Sequence, residues 1–518
     1  MKVNLATPKL AWMCGLIFGM YVLGTHVLAF LSRSEFSQVY IFPPEQLTLL
    51  TVIISFLIFG CGFIMIFFIP GGILCLHFKR LHNDLPGFLT AAFFSSIGIC
   101  ILGSSIYKIL GGGILCRNNF LWIVILITAL ELISLLWKRH RHPTQQLPGN
   151  MVFSLSALMP YCVLILLATL FLLTSGRALI NGAPVAYQYD PKTVLAIPLG
   201  EQSDSLEAFG LAHSLRTHLL PYWDLEYADK FGYVFTDTPL YPYVALFAIL
   251  LFGESFAAVS LLSVSFIIMI FSSVLARGYP RRSPIRFVTC AGLMFAYLFF
   301  LLKEPAVFVY VEHFFLLQII LAYIFLLRKN KIAFWLAATS ATLTRFYGIF
   351  FIVLGIGALF IFFKERRREI RALLAGYGRI VAGILAGILL MGVITGDTGT
   401  YIKCLFIEHL NRLDYFSLLP RIYPQDVVYR PTPDFNQSIR FLAWTLGATV
   451  FTFPALFVFG NDREERFYSC IGLVYFSLVF ASTYSLPRYV LPLIPFAAMV
   501  VSSQGERHGA QRTEREVD

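Results

Sequence analysis

Long apolar runs separated by short polar breaks dominate the chain, and they recur at the length a bilayer demands. A helix needs about 20 apolar residues to cross a hydrocarbon core of about 30 Å. Runs of that order lie near 11–31, 48–69, 88–110, 119–137 and 151–173. Others follow near 256–276, 286–302, 306–327, 331–344, 347–363, 379–395, 439–459, 467–483 and 488–502. The pattern predicts an all-α polytopic membrane protein with about fourteen spans. Residues 11–31 are long enough to span and no A-x-A-like site follows, so they read as a span and not as a cleavable leader. Residues 1–150 form an N-terminal four-helix region, 151–502 a larger unit and 503–518 a polar tail. The larger unit carries two long polar loops, about 174–255 and 396–438.

Composition agrees with the pattern. The chain is 58% hydrophobic and 13% charged, with a mean hydropathy of +0.75. Soluble domains carry about 25% charged residues. The nine cysteines form no C-x-x-C and lie mostly in or beside apolar runs, which suits core packing. The net charge of +11 reports a cytoplasmic loop bias, and no nucleic-acid-binding motif accompanies it. Basic clusters occur at Lys79-Arg80, Lys138–Arg141, Arg277 with Arg281-Arg282, Arg328-Lys329 with Lys331, Lys364–Arg371, and Arg463 with Arg466. With the N-terminus in the cytoplasm, all six fall on the cytoplasmic side and both long loops face outward. That topology requires Pro239–Phe252 not to cross, so it reads as a helix lying in the outer interface. Residues 204–220 read the same way, with Leu211, Leu215 and Leu219 on one side and His213, Arg216 and Thr217 on the other.

The candidate chemistry sits at the outer lip. Asp204 opens the first outer interfacial segment, with Glu207 three residues on. Two roles suit Asp204: a base that takes a proton from an attacking hydroxyl, and a helix cap in an Asp-x-x-Glu pattern. Lys303, Arg345 and Arg488 fall at outer ends of spans, against the inside bias. They suit either a shared phosphate or snorkelling to headgroups. Glu304 is open to three roles: orienting an acceptor, holding a divalent cation such as Mg or Mn, or pairing with Lys303. Glu312 and His313 lie inside a span, as functional groups or as a pair bonded to itself. The aromatic and polar residues of the second outer loop, Tyr401, His409, Tyr415, Tyr423 and Tyr429 among them, suit sugar recognition and interface anchoring equally.

Read in order, Asp204–Ala212, Pro221-Tyr222, Thr238-Pro239-Leu240-Tyr241-Pro242-Tyr243 and Leu251-Phe252-Gly253 resemble the first outer loop of GT-C-fold glycosyltransferases. The likeness is greatest to the bacterial dolichyl-phosphate-mannose-protein mannosyltransferase-like and aminoarabinose-transferase-like branch. Lys303-Glu304-Pro305, Leu343-Thr344-Arg345 and Arg488-Tyr489-x-Leu-Pro-x-x-Pro are similar to its later motifs, and the resemblance covers about 150–502. Here Ser205 replaces the family's second acidic residue, Thr238-Pro239 replaces its Pro-Pro, and the first four spans are additional. The resemblance implies an integral-membrane, inverting glycosyltransferase, in a bacterial inner membrane with its active site outward. It would move a sugar from a polyprenyl-phosphate donor to a glycan, lipid or protein acceptor. Asp204 and Glu207 would be catalytic, and Lys303, Glu304, Arg345, Tyr347, Arg488, Tyr489 and Tyr241 would bind substrate. One outward cavity is expected to gather Asp204, Glu304, Arg345 and Arg488. The rival class is a proton-coupled secondary transporter, against which stands the lack of paired halves in the sequence.

Overall fold

The computed structural model describes residues 2–3, 7–43, 48–78, 81, 84–141, 151–152, 166, 187–189, 196–198, 211–217, 240–278, 284–303, 311–345, 347–395, 462–481 and 492–503. Asp204, Glu207, Glu304, Arg488, Tyr489, the second outer loop, the tail beyond 503 and the runs at 151–173 (save Met151, Val152 and Leu166) and 439–459 lie outside them.

The described chain is overwhelmingly helical. The first part holds α1 (Thr7–Ser32), α2 (Leu49–Phe67), α3 (Ile69–Cys75), α4 (Leu85–Ile109) and α5 (Arg117–Arg141). Then come α6 (Leu240–Phe252), α7 (Phe256–Gly278), α8 (Pro284–Lys303), α9 (Val311–Leu327), α10 (Lys331–Thr344), α11 (Gly348–Phe362), α12 (Arg367–Thr395), α13 (Arg463–Ala481) and α14 (Leu493–Ser503). Two antiparallel pairs of very short strands complete the picture. Lys2–Val3 (β1) pairs with Met151–Val152 (β2), in the register Lys2↔Val152. Tyr187–Tyr189 (β3) pairs with Ala196–Pro198 (β4), in the register Gln188↔Ile197.

Among the described residues, six segments are long and apolar enough to cross a membrane: Leu10–Ser32, Leu49–Cys75, Leu85–Ile109, Arg117–Lys138, Ala257–Leu275 and Lys364–Gly387. Five shorter apolar helices accompany them. The surface explains why the environment must be lipid. Trp122, Leu126, Leu130, Ile133 and Trp137 recur every three or four residues down α5, each more than half exposed. Trp12, Leu16, Leu23 and Phe30 do the same on α1. Water would penalise such stripes, whereas hydrocarbon tails match them. The chain is a multi-pass membrane protein.

Inside this ring stand two helices without an exposed face. All thirteen residues of α6 are buried, as is α9 from Val311 to Leu326. Here the structure differs from the sequence expectation for Pro239–Phe252. An interfacial helix shows one side to solvent, but α6 packs against α2, α5, α7 and α10. Phe247 stacks on Phe120 at 5.0 Å and Phe252 lies 4.8 Å from Phe59. A single hydrophobic core runs through the N-terminal helices and the later ones.

Hydrogen bonds sort the ends of the bundle. Lys138 Nζ donates to His77 O, Asn330 Nδ2 to Asp84 Oδ2, and Arg366 Nη2 to Leu326 O. Arg463 pairs with Glu365 at 2.7 Å. Basic clusters far apart in sequence thus share one end, as the charge bias requires. The opposite end gathers residues 33–42, 108–117, 211–217 and 250–256, through Leu115 N to Arg216 O (2.8 Å), Ile41 N to Phe252 O (3.0 Å) and the Arg117 contacts described below. At this end Gly253 makes the sharp turn from α6 to α7 with φ +89°, and a Cβ there would sit 2.8 Å from Val39 O.

Candidate functional site

Helix lengths place the site. From the basic end, α10 rises fourteen residues and α11 returns over fifteen. At 1.5 Å per residue each measures about 21–22 Å, short of a core of about 30 Å. The two form a hairpin whose turn, from Arg345 to Gly348, lies at the end away from the basic clusters. Glu312, near the start of α9, lies about 21 Å from that helix's basic end and meets the tip.

The tip is built by local sequence. Arg345 leaves the helix in extended conformation (φ −144°, ψ 123°), its N–H still donating to Ala341 O. Gly348 N closes the turn on Arg345 O at 2.8 Å. A Cβ on Gly348 would sit 2.8 Å from Ala341 O, so the hairpin requires glycine there. Irregular backbone within a membrane is tolerated only where protein buries it, and Arg345 is 5% exposed.

Around the tip the apolar core turns polar. Arg345 Nη2 donates to Glu312 Oε1 at 3.0 Å. Gln318 Nε2 donates to Thr344 Oγ1 at 2.9 Å, tying α9 to the tip one residue before Arg345. His313 Nδ1 lies 3.3 Å from the Tyr297 hydroxyl on α8. Tyr241, fully buried at the start of α6, is within electrostatic reach of Glu312, and its ring is 6.1 Å from Phe314. Tyr347 packs edge-on against Phe315 at 5.0 Å. Three helices and the hairpin tip therefore deliver an arginine, a carboxylate, an imidazole and three phenols to one level of the bundle.

Three expected substrate residues, Tyr241, Arg345 and Tyr347, do line this level. Two details are corrected. Arg345 ends α10 on the side away from the basic clusters, as expected, but it is buried against α9 and not free to reach headgroups. Glu312 does not pair with its neighbour His313: Glu312 reaches α10 and His313 reaches α8. Lys303 ends α8, its side chain outside the description, and α8 packs closely along α14. The expected meeting of Asp204, Glu304 and Arg488 with Arg345 lies outside the described residues.

A second polar constellation, unforeseen in the sequence, fastens the first outer loop. Glu254, in the α6–α7 turn, pairs with Arg216 and accepts from His213 Nδ1 at 3.2 Å. Burial pushes the Glu254 carboxyl up, but His213 and Arg216 together bring it below its ordinary value. Lys108 Nζ donates to Arg216 O, so α4 joins the latch. Residues 211–217 are a short helical turn with Ala212 and Leu215 buried and Thr217 exposed, and the rest of 204–220 lies outside the described residues. About 17 Å of helix rise along α6 separates this latch from Tyr241. Glu131, on the inward stripe of α5, is a further intramembrane carboxylate whose Oε2 has no hydrogen-bond partner among the described residues. Also among the described residues, no group of three or more His, Cys, Asp or Glu side chains is placed to hold a metal. Five cysteines, Cys14, Cys61, Cys75, Cys100 and Cys290, are free and buried, in keeping with core packing.

Comparison with protein-family models, curated proteins and solved structures gives no match.

Proposed function

We propose that the chain is an inverting membrane glycosyltransferase that uses a polyprenyl-phosphate sugar, with about fourteen spans and an outward-facing site. The observation that carries the reading is the hairpin tip: Thr344-Arg345, one of the motifs in the resemblance, is buried beside Glu312, Tyr241 and the His313–Tyr297 pair. A lipid-borne donor brings its phosphate to that region without leaving the membrane. In the proposed reaction the acceptor oxygen bonds to the anomeric carbon and gives its proton to Asp204. The anomeric carbon–oxygen bond to phosphate breaks on the opposite face, and the polyprenyl phosphate leaves. Its negative charge is met by Arg345, with Lys303 and Arg488, and Glu312 fixes the guanidinium plane. Tyr241, Tyr347 and Tyr489 bind sugar or headgroup, and Glu304 orients the acceptor or holds a divalent cation.

A second reading, a proton-coupled transporter, draws on the same hairpin. Broken helices with charged groups at depth are a transporter device, and Glu131 is an intramembrane acid of the sort that relays protons. One experiment separates the two. Membranes bearing wild type, Asp204→Asn or Glu312→Gln are given a panel of radiolabelled polyprenyl-phosphate sugars. Loss of transfer in both variants at equal expression upholds the transferase. Proton-linked uptake that Glu131→Gln abolishes, with no transfer by wild type, replaces it with the transporter.

A further inference from the structure

A cavity of about 270 Å³ opens at the basic end, far from the hairpin tip, lined by Ile361, Phe362, Lys364, Arg463 and Arg466. Its volume equals about nine water molecules. Three of the five lining side chains are cations and none is a carboxylate. Glu365 pairs with Arg463 on the rim, whereas Glu369 bonds Arg366 and Asp462 accepts from Glu464 N. The other two lining residues end α11, whose outward side carries Phe350, Val353, Phe360 and Ile361, all exposed. By the same reasoning that applies to α1 and α5, this is a lipid-facing stripe, and the cavity lies at its foot. A cationic hollow beneath an apolar stripe matches a molecule with an anionic head and hydrocarbon tails.

We propose that this cavity seats the phosphate headgroup of an anionic phospholipid. Lys364, Arg463 and Arg466 take the phosphate oxygens, and Ile361 and Phe362 lie against the first acyl carbons. The lipid then bridges α11 to α13 and clamps the base of the hairpin. Lipid in place of free phosphate follows from Ile361, the most exposed of the large apolar side chains on α11.

Native mass spectrometry of the purified full chain, in particles of phosphatidylcholine with phosphatidylglycerol titrated in, tests this. Phosphatidylglycerol is expected to be retained in preference to phosphatidylcholine. The pair Lys364→Gln with Arg466→Gln is expected to weaken that retention about thirtyfold, from two lost cations, while Lys364→Arg with Arg466→Lys keeps it. Equal retention of the two lipids by wild type overturns the proposal, and this comparison decides the matter alone if the glutamine pair fails to accumulate. Unchanged retention in the glutamine pair also overturns it. Inorganic phosphate, added at millimolar level to phosphatidylcholine particles, is expected to leave the melting temperature unmoved. A rise equal to that given by phosphatidylglycerol makes a soluble phosphate the occupant and overturns the lipid.

Discussion

At Glu312 helix geometry chooses the partner. Neighbouring residues on a helix point about 100° apart, so Glu312 and His313 cannot share a face. The carboxylate turns to Arg345, thirty-three positions away, and both are buried. Removing one member of such a pair strands a charge, whereas replacing both by apolar groups of like volume is close to neutral. Glu312→Leu alone is therefore expected to destabilise by about 3–5 kcal/mol, and adding Arg345→Met to recover most of that loss. A double-mutant cycle on thermal unfolding in lipid particles measures the coupling. At Glu254 the sign of the pH effect is fixed. Its carboxyl titrates below the ordinary value in the folded protein, so its stabilisation is complete above the unfolded carboxylate pKa. That stabilisation is lost as pH falls through the folded value. Melting temperatures of Glu254→Gln are expected to depend less on acid than those of wild type, and equal slopes remove this residue as a source.

The end of α6 shows how an element without a polar face survives inside a membrane. Its last carbonyls have no helical partner, and hydrocarbon offers none. Leu250 O accepts from Arg117 Nε at 3.0 Å, Leu251 O from the Tyr21 hydroxyl at 2.7 Å, and Phe252 O from Ile41 N at 3.0 Å. Arg117 also reaches Phe36 O and Val39 O, and α9 is closed similarly by Arg366 on Leu326 O. Each buried polar group left unpaired costs about 1–3 kcal/mol. Tyr21→Phe is therefore expected to cost about 1–2 kcal/mol and Arg117→Met several times more, read by chemical unfolding or proteolysis in detergent. Such closures were not legible beforehand, since they join residues between 40 and 230 positions apart. What was legible was apolar length: the edges of α1, α4, α7 and α10 lie within a few residues of the runs that foretold them. Length also misled: the stretch 239–252 read as interfacial, whereas α6 is a thirteen-residue helix buried on every side, which hydropathy alone does not distinguish.

Across the whole molecule, charge bias was an informative signal: hydrogen bonds bring Lys138, the 328–331 turn, the 364–371 segment and Arg463 to one end, and the clusters at 79–80 and 281–282 lie outside the described residues. The site was legible only in part. Tyr241, Arg345 and Tyr347 share a level because their motifs fall at helix ends, whereas Gln318 and Tyr297 are ordinary core residues in sequence and gain meaning from contact. The sidedness is open to direct measurement. In a chain cleared of native cysteines, Thr217→Cys is expected to react with a membrane-impermeant maleimide from outside intact cells. Arg368→Cys is expected to react only after permeabilisation. The reverse pattern would turn the latch and the hairpin tip toward the cytosol and end the proposed transferase.

The three donors that close α6 have a bearing on biogenesis. Tyr21, Ile41 and Arg117 leave the ribosome well before Leu250, so the docking cradle is already assembled when its guest arrives. A truncated chain starting at residue 151 is expected to be degraded rather than accumulate. Co-expressing residues 1–150 as a separate polypeptide is expected to rescue it, which would make the first five helices an intramolecular chaperone for the rest.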